Sequence, residues 1–147
     1  MADLHSRLRD ELNAARKAQD KPRTLLLGTI VSDVKNRGIE LRRDPTDEEI
    51  VDVVRKGIKR RRESVEMYEK GGREELAAKE REEIGMLEGF LPAAVPEDQL
   101  RAAVIGAIEG GATTIGQVMG QVLPQFRGRA EGSQINALAR EELAKRG

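Results

Sequence analysis

The chain has 147 residues, room for one ordinary domain or two small ones that share an interface. With 38% hydrophobic and 35% charged residues it is too apolar for a disordered chain and too charged for a membrane one, and 26 basic against 26 acidic groups do not describe a strongly basic nucleic-acid domain. There is no cysteine for disulfides or thiolate chemistry, and Tyr68, Phe90 and Phe126 are the only aromatic residues, so aliphatic side chains must fill the core, which suits helix packing better than β-sheet.

The first predicted helix runs from about Leu4 to Ala18, with Asp3 as its N-cap and Leu4, Leu8, Leu12 and Ala15 recurring at helical spacing. Pro22 suits the first position of a second helix, whose stripe holds Leu26, Leu27, Ile30, Val31 and Val34. Gly38 leaves its end open, and Asp44-Pro45 makes a break. Thr46 to Glu49 is the Thr-x-x-Glu capping box of a third helix, with Ile50, Val54, Ile58, Val65 and Tyr68 on one stripe and Gly71-Gly72 at its end. A fourth helix follows from Arg73 to about Glu88, with Leu76, Ala77, Ile84 and Leu87 inward.

Residues 92–96, Pro-Ala-Ala-Val-Pro, are uncharged and hold two prolines, so subdomains are expected at 1–92 and 93–147. Three shorter helices are predicted beyond them: Glu97 to Glu109 with Leu100, Val104 and Ile108 inward, a second after Thr113 or Thr114 and ending before Pro124, and a last from about Glu131 to Lys145. The expected class is therefore all-α and multihelical, in two small helical subdomains. Each is electrically balanced, with 20 basic and 20 acidic groups in 1–92 and 6 of each in 93–147. No segment approaches the roughly 20 apolar residues of a membrane helix, the first ten residues are of mixed charge, and a cytoplasmic location is expected.

The catalytic inventory is thin. His5 has no second histidine and no cysteine to share a metal or a nucleophile with, and is expected on the solvated surface. Glu80, Glu82, Glu83 and Glu88 share one helix with Lys79 and Arg81, which reads as a solvated ion-paired face rather than a metal or carboxylate site. No phosphate loop of the Walker or dinucleotide type occurs, and no cofactor or metal is expected.

Between Arg55 and Arg62 lie six positive charges in eight residues with no acid among them. This run, with Lys59 and Arg62 as its candidates, is either a phosphate-binding stripe or a solvated face in which Lys59 pairs with Glu63 and Arg62 with Glu66 at i,i+4 spacing. Helical projection puts Arg61 inside the apolar stripe between Ile58 and Val65, and Glu80 and Glu83 inside the stripe of the next helix. If Gly71-Gly72 closes an antiparallel hairpin, Arg61 lies opposite residues 80–83, and an ion pair with Glu80 or Glu83 is predicted.

The C-terminal segment carries Gly116, Met119, Gly120, Pro124, Gly128, Gly132 and Asn136 in a dense pattern. The Gly116-x-x-x-Gly120 spacing predicts close approach of a neighbouring helix, and Gly128, between Arg127 and Arg129, predicts a turn with positive φ whose arginines could hold a phosphate.

With these patterns the sequence resembles the GatB/YqeY family. The likeness to its stand-alone YqeY-like members covers nearly the whole chain, including Val34-Lys35-Asn36-Arg37, Leu41-Arg42-Arg43, Ile58-Lys59-Arg60-Arg61-Arg62-Glu63-Ser64, Gly71-Gly72-Arg73 and Leu91-Pro92. Gly116-Gln117-Val118-Met119 and Gly128-Arg129-Ala130 also resemble the tail of the B subunit of the glutamine-dependent tRNA amidotransferase. The resemblance implies an all-α fold of two helical subdomains, a tail that in the amidotransferase helps recognise tRNA, and a carbon–nitrogen ligase class with glutamine as amide donor. The chain has no room for the amidotransferase's catalytic cradle. The expected function is thus a non-catalytic, tRNA-directed RNA-binding accessory acting through Arg127, Arg129 and the stripe around Lys59 and Arg62. A protein-interaction adaptor is the alternative, and a ligase the third.

Overall fold

A computed structural model describes residues 3–146. The described residues form seven α-helices and one short 3-10 helix, with no strand: α1 (Asp3–Lys17), α2 (Lys21–Leu41), α3 (Asp47–Lys70), α4 (Glu74–Glu88), α5 (Glu97–Glu109), α6 (Ile115–Val122), the 3-10 turn Leu123–Phe126 and α7 (Gly132–Lys145). The chain divides between Leu91 and Pro92 into two compact units.

The N-terminal unit consists of two helical hairpins, α1 along α2 and α3 along α4. Leu8, Leu27, Ile30, Val34, Ile50, Val54 and Leu87 are wholly buried between them. The helix ends follow local chemistry. Asp20 caps α2 by accepting from the Arg23 amide at 3.2 Å. Thr46 and Glu49 close both bonds of the α3 capping box, at 3.3 and 2.9 Å. Asp3 is already helical, and one orphan donor at that end, the Leu4 amide, is satisfied by Asp47 Oδ1 from the start of α3 at 3.1 Å. Gly38 sits inside α2, where a β-carbon would stand 3.3 Å from the Arg43 carbonyl oxygen and from the Pro45 ring, so its bareness lets the following loop fold back.

One inward assignment is corrected: Leu76, placed inside from its spacing, is exposed, because α4 enters its packed stripe only at Ala77. Met67, across the hairpin from it, is exposed as well.

In the C-terminal unit α7 packs against α5 and α6 over a core of Leu100, Val104, Val118, Val122, Ile135 and Ala139. Thr114 and Gln117 form a second capping box at the start of α6. Arg101 ties α5 to α7 through Glu142 at 2.7 Å and Glu141 at 3.1 Å. Lys145 also reaches Glu142, at 2.8 Å, so this buried carboxylate carries two cations and is held below the usual carboxylate range by its bonds to Lys145 and Arg101.

Candidate nucleic-acid interface

α3 separates its basic run by angle around the helix. Arg61 turns inward. Its Nε donates to Glu83 Oε2 at 3.1 Å and its Nη1 to the Gly57 carbonyl at 3.0 Å, with only 16% of the Arg61 side chain and 21% of Glu83 exposed. Gly57 makes the fold-back possible, since a β-carbon there would lie 3.3 Å from Arg61 Nη1 and from Ile30 Cδ1. Glu80 stands beside the pair. Burial pushes its carboxyl up, the charge of Glu83 and a hydrogen bond to it push the same way, and Arg61 opposes them. Three charges at the α3–α4 seam therefore form one network that leaves no cation free for a ligand.

The outer face of the run differs. Lys56, Lys59, Arg60 and Arg62 are exposed. Arg60 reaches Asp33 on α2 at 3.4 Å. Among the described residues neither Lys59 with Glu63 nor Arg62 with Glu66 comes within 4.0 Å, so the i,i+4 pairing that would neutralise this face is not formed.

In the C-terminal unit the candidate residues divide between packing and exposure. Val118 is fully buried, Met119 is packed against the core, and Gln117 Oε1 accepts from the Thr113 and Thr114 amides at 2.8 and 3.3 Å. Sequence reasoning missed this role of Gln117, although Thr114-x-x-Gln117 carries the capping signature. The helix approach expected at Gly116 and Gly120 is corrected. Both are exposed, a β-carbon at Gly120 would meet nothing within 4 Å, and one at Gly116 only Thr114 Oγ1 at 4.0 Å. Spacing alone cannot say which side of a short helix the core takes. Pro124 is the exposed second residue of the 3-10 turn, Gly132 starts α7, and the Asn136 side chain accepts from Arg140 Nε at 2.8 Å.

Gly128 has φ +78°, and the turn around it closes with the Arg129 and Ala130 amides donating to the Phe126 carbonyl at 2.8 and 3.0 Å. The arginines on its two sides are unequal. Arg129 lies over the Phe126 ring, 5.4 Å from its centroid, and donates to the Gln125 carbonyl at 2.7 Å. Arg127 is exposed and, among the described residues, joins no ion pair.

His5 departs from the surface position expected of it. It is 6% exposed, and neither ring nitrogen finds a hydrogen-bond partner. Burial pushes the imidazole below its ordinary value, the Arg9 charge lowers it further, Asp44 opposes and Lys35 adds to the fall. His5 lies on the same stripe of α1 as Leu8, Leu12 and Ala15, at i, i+3, i+7 and i+10, so the periodicity of the helix carries it to the buried side. Among the described residues no three His, Asp or Glu side chains stand together as a metal site, and no helix is long and apolar enough to cross a membrane.

A family described as Yqey-like protein matches residues 5–143. The chain belongs to this family. Three curated relatives are each named altered inheritance of mitochondria protein 41, mitochondrial. The one from Pyrenophora tritici-repentis is 29% identical over 134 residues, 87% of this chain and 74% of its own length. Those from Eremothecium gossypii and Kluyveromyces lactis are 30% and 34% identical, each over 62% of this chain. The chain spans only about half the length of these last two, 50% and 51%. Their names overturn the cytoplasmic location expected from the sequence: an absence of cysteine and a mixed-charge first turn suit a mitochondrial YqeY-like protein equally well, so neither feature decides the compartment.

Proposed function

We propose that this YqeY-like chain is an RNA-binding accessory with no catalytic centre of its own, directed to tRNA through its C-terminal unit and aided by the outer face of α3. The observation that carries the reading is the sorting of cations. Arg127, Arg129, Lys59 and Arg62 stay exposed outside every ion pair among the described residues, with Arg129 steadied by the Gln125 carbonyl and the Phe126 ring, while Arg61 and Arg101 are taken up by ion pairs with Glu83 and with Glu141 and Glu142. Free guanidinium and ammonium groups suit phosphate oxygens. Phe90 and Phe126 are buried and Tyr68 is half-buried, so the contacts are to backbone phosphates rather than stacked bases.

The choice of tRNA rests on the likeness of residues 116–119 and 128–130 to the amidotransferase tail. A ligase activity ranks last, because that likeness is confined to the tail. A second reading, a protein partner on α2, is favoured by Leu25 and Ile39, which are 73% and 74% exposed. Photocrosslinking of tRNA followed by peptide sequencing tests the choice. Crosslinks on the peptides holding Arg127 and Lys59–Arg62 are expected; their absence, or crosslinks confined to α1, contradicts the proposal.

A further inference from the structure

α2 and α3 diverge to leave a groove of about 560 Å³ on the outer side of the N-terminal unit. Lys56, Lys59 and Arg60 stand along its α3 wall, Asn36 and Arg37 along its α2 wall, and Val53 supplies apolar surface. The acids in the groove do not cancel these cations. Asp33 holds Arg60 only at 3.4 Å and Glu40 pairs with Arg37 at 2.9 Å, while Lys56 and Lys59 are exposed and join no ion pair among the described residues. Glu63 remains at one end of the groove, so the anion is placed toward Lys56 and Arg60. The Asn36 amide, exposed and with no hydrogen bond among the described residues, offers both a donor and an acceptor across from them.

We propose that this groove holds one unstacked nucleotide of a single-stranded RNA segment, with its phosphate on Lys56, Lys59 and Arg60 and its base against Val53 within reach of the Asn36 amide. The inference rests on the RNA-binding reading and names the kind of RNA. With Phe90 and Phe126 buried and Tyr68 half-buried, no exposed ring offers a stacking platform, and the open groove between α2 and α3 offers instead an apolar patch at Val53 beside the unpaired Lys56 and Lys59. Duplex RNA, whose bases stay stacked and whose backbone is convex, does not enter it. Lys56, Lys59 and Arg60 fall at i, i+3 and i+4, one face of one helix, which lets a single phosphate meet all three.

The test uses the full chain, a labelled single-stranded oligoribonucleotide of about ten nucleotides, a duplex of the same length, and adenosine and uridine 5′-monophosphates as free probes. The proposal expects tighter binding of the single strand than of the duplex, and monophosphate-induced NMR shifts at the Val53 methyls and the Asn36 side-chain amide. Lys56→Ala/Lys59→Ala should weaken the single strand by about tenfold or more and remove those shifts, while Arg127→Ala keeps them. If RNA binds and depends on Arg127 but the monophosphates leave Val53 and Asn36 unmoved, the groove is not a nucleotide site and the RNA-binding reading survives. If duplex binds as well as single strand with the same loss in the lysine variant, the unstacked nucleotide is wrong. If no RNA binds at low salt, both readings fall together.

Discussion

Replacing Arg61 by Met keeps most of the side-chain volume and removes the cation that pairs with Glu83 and opposes the rise at Glu80. For a fully exposed pair the loss is below about 1 kcal/mol, and for a fully buried one with a stranded partner about 3–5 kcal/mol. With 16% of Arg61 and 21% of Glu83 exposed, the seam lies between these limits, and Arg61→Met should cost about 2 kcal/mol at neutral pH in urea denaturation. The pH dependence carries a sign. Glu80 already has a raised carboxyl, and a raised carboxyl favours the fold when protonated, a contribution present below the ordinary value of 4.5 and lost as pH rises through the folded one. Removing Arg61 raises it further. The deficit of the variant should therefore be largest near neutrality and shrink as pH falls toward 4.5, and Arg61→Met/Glu83→Gln should recover at least half of it. A neutral-pH cost below about 0.5 kcal/mol, or a deficit that does not change with pH, refutes a buried network at this seam.

His5 is held neutral by burial, so its contribution to stability is complete above 6.5 and lost as pH falls through its lowered folded value; thermal unfolding at pH 7.5 and 5.5 should show a drop that His5→Leu abolishes, and an equal drop in both proteins contradicts the burial. Thr114→Ala removes one bond of the α6 capping box and should destabilise the chain by about 1 kcal/mol, read by urea denaturation, whereas Thr114→Ser should be close to neutral. The two arginines of the Gly128 turn should separate: Arg129→Ala loses the Gln125 bond and the Phe126 contact and should lower the melting temperature, while Arg127→Ala should leave it unchanged. Equal melting temperatures for the two variants would make both surface residues.

Features legible in the sequence were those set by local chemistry. Thr46 with Glu49 announces a capping box, Gly71-Gly72 and Gly110-Gly111 stop helices, and the mirror symmetry of a hairpin about Gly71-Gly72 places Arg61 opposite residues 80–83, leaving Glu80 and Glu83 as alternatives of which the fold takes Glu83. The surface position expected of His5 follows only from its lack of metal or nucleophile partners, which says nothing of burial, whereas its spacing of i, i+3, i+7 and i+10 with Leu8, Leu12 and Ala15 sets it on the buried stripe of α1. What was not legible depends on which elements meet. Gly116 and Gly120 look like a packing face but are bare, because the core takes the opposite side of α6 through Val118 and Val122. The pairs Lys59 with Glu63 and Arg62 with Glu66 have the right spacing and do not form, since flexible exposed side chains gain little from closing them. Arg101, which clamps α5 to α7 through Glu141 and Glu142, gave no signal, its partners lying 40 and 41 residues away.

The RNA-binding account rests on free cations meeting phosphates, and the measurement that reaches it most directly is a tRNA titration across salt concentration for the wild type and Arg127→Ala. The account predicts that affinity falls steeply as salt rises, with a log–log slope that becomes shallower by about 1 in the variant at unchanged thermal stability. Affinity that is absent at low salt, or a slope identical in the two proteins, would contradict it.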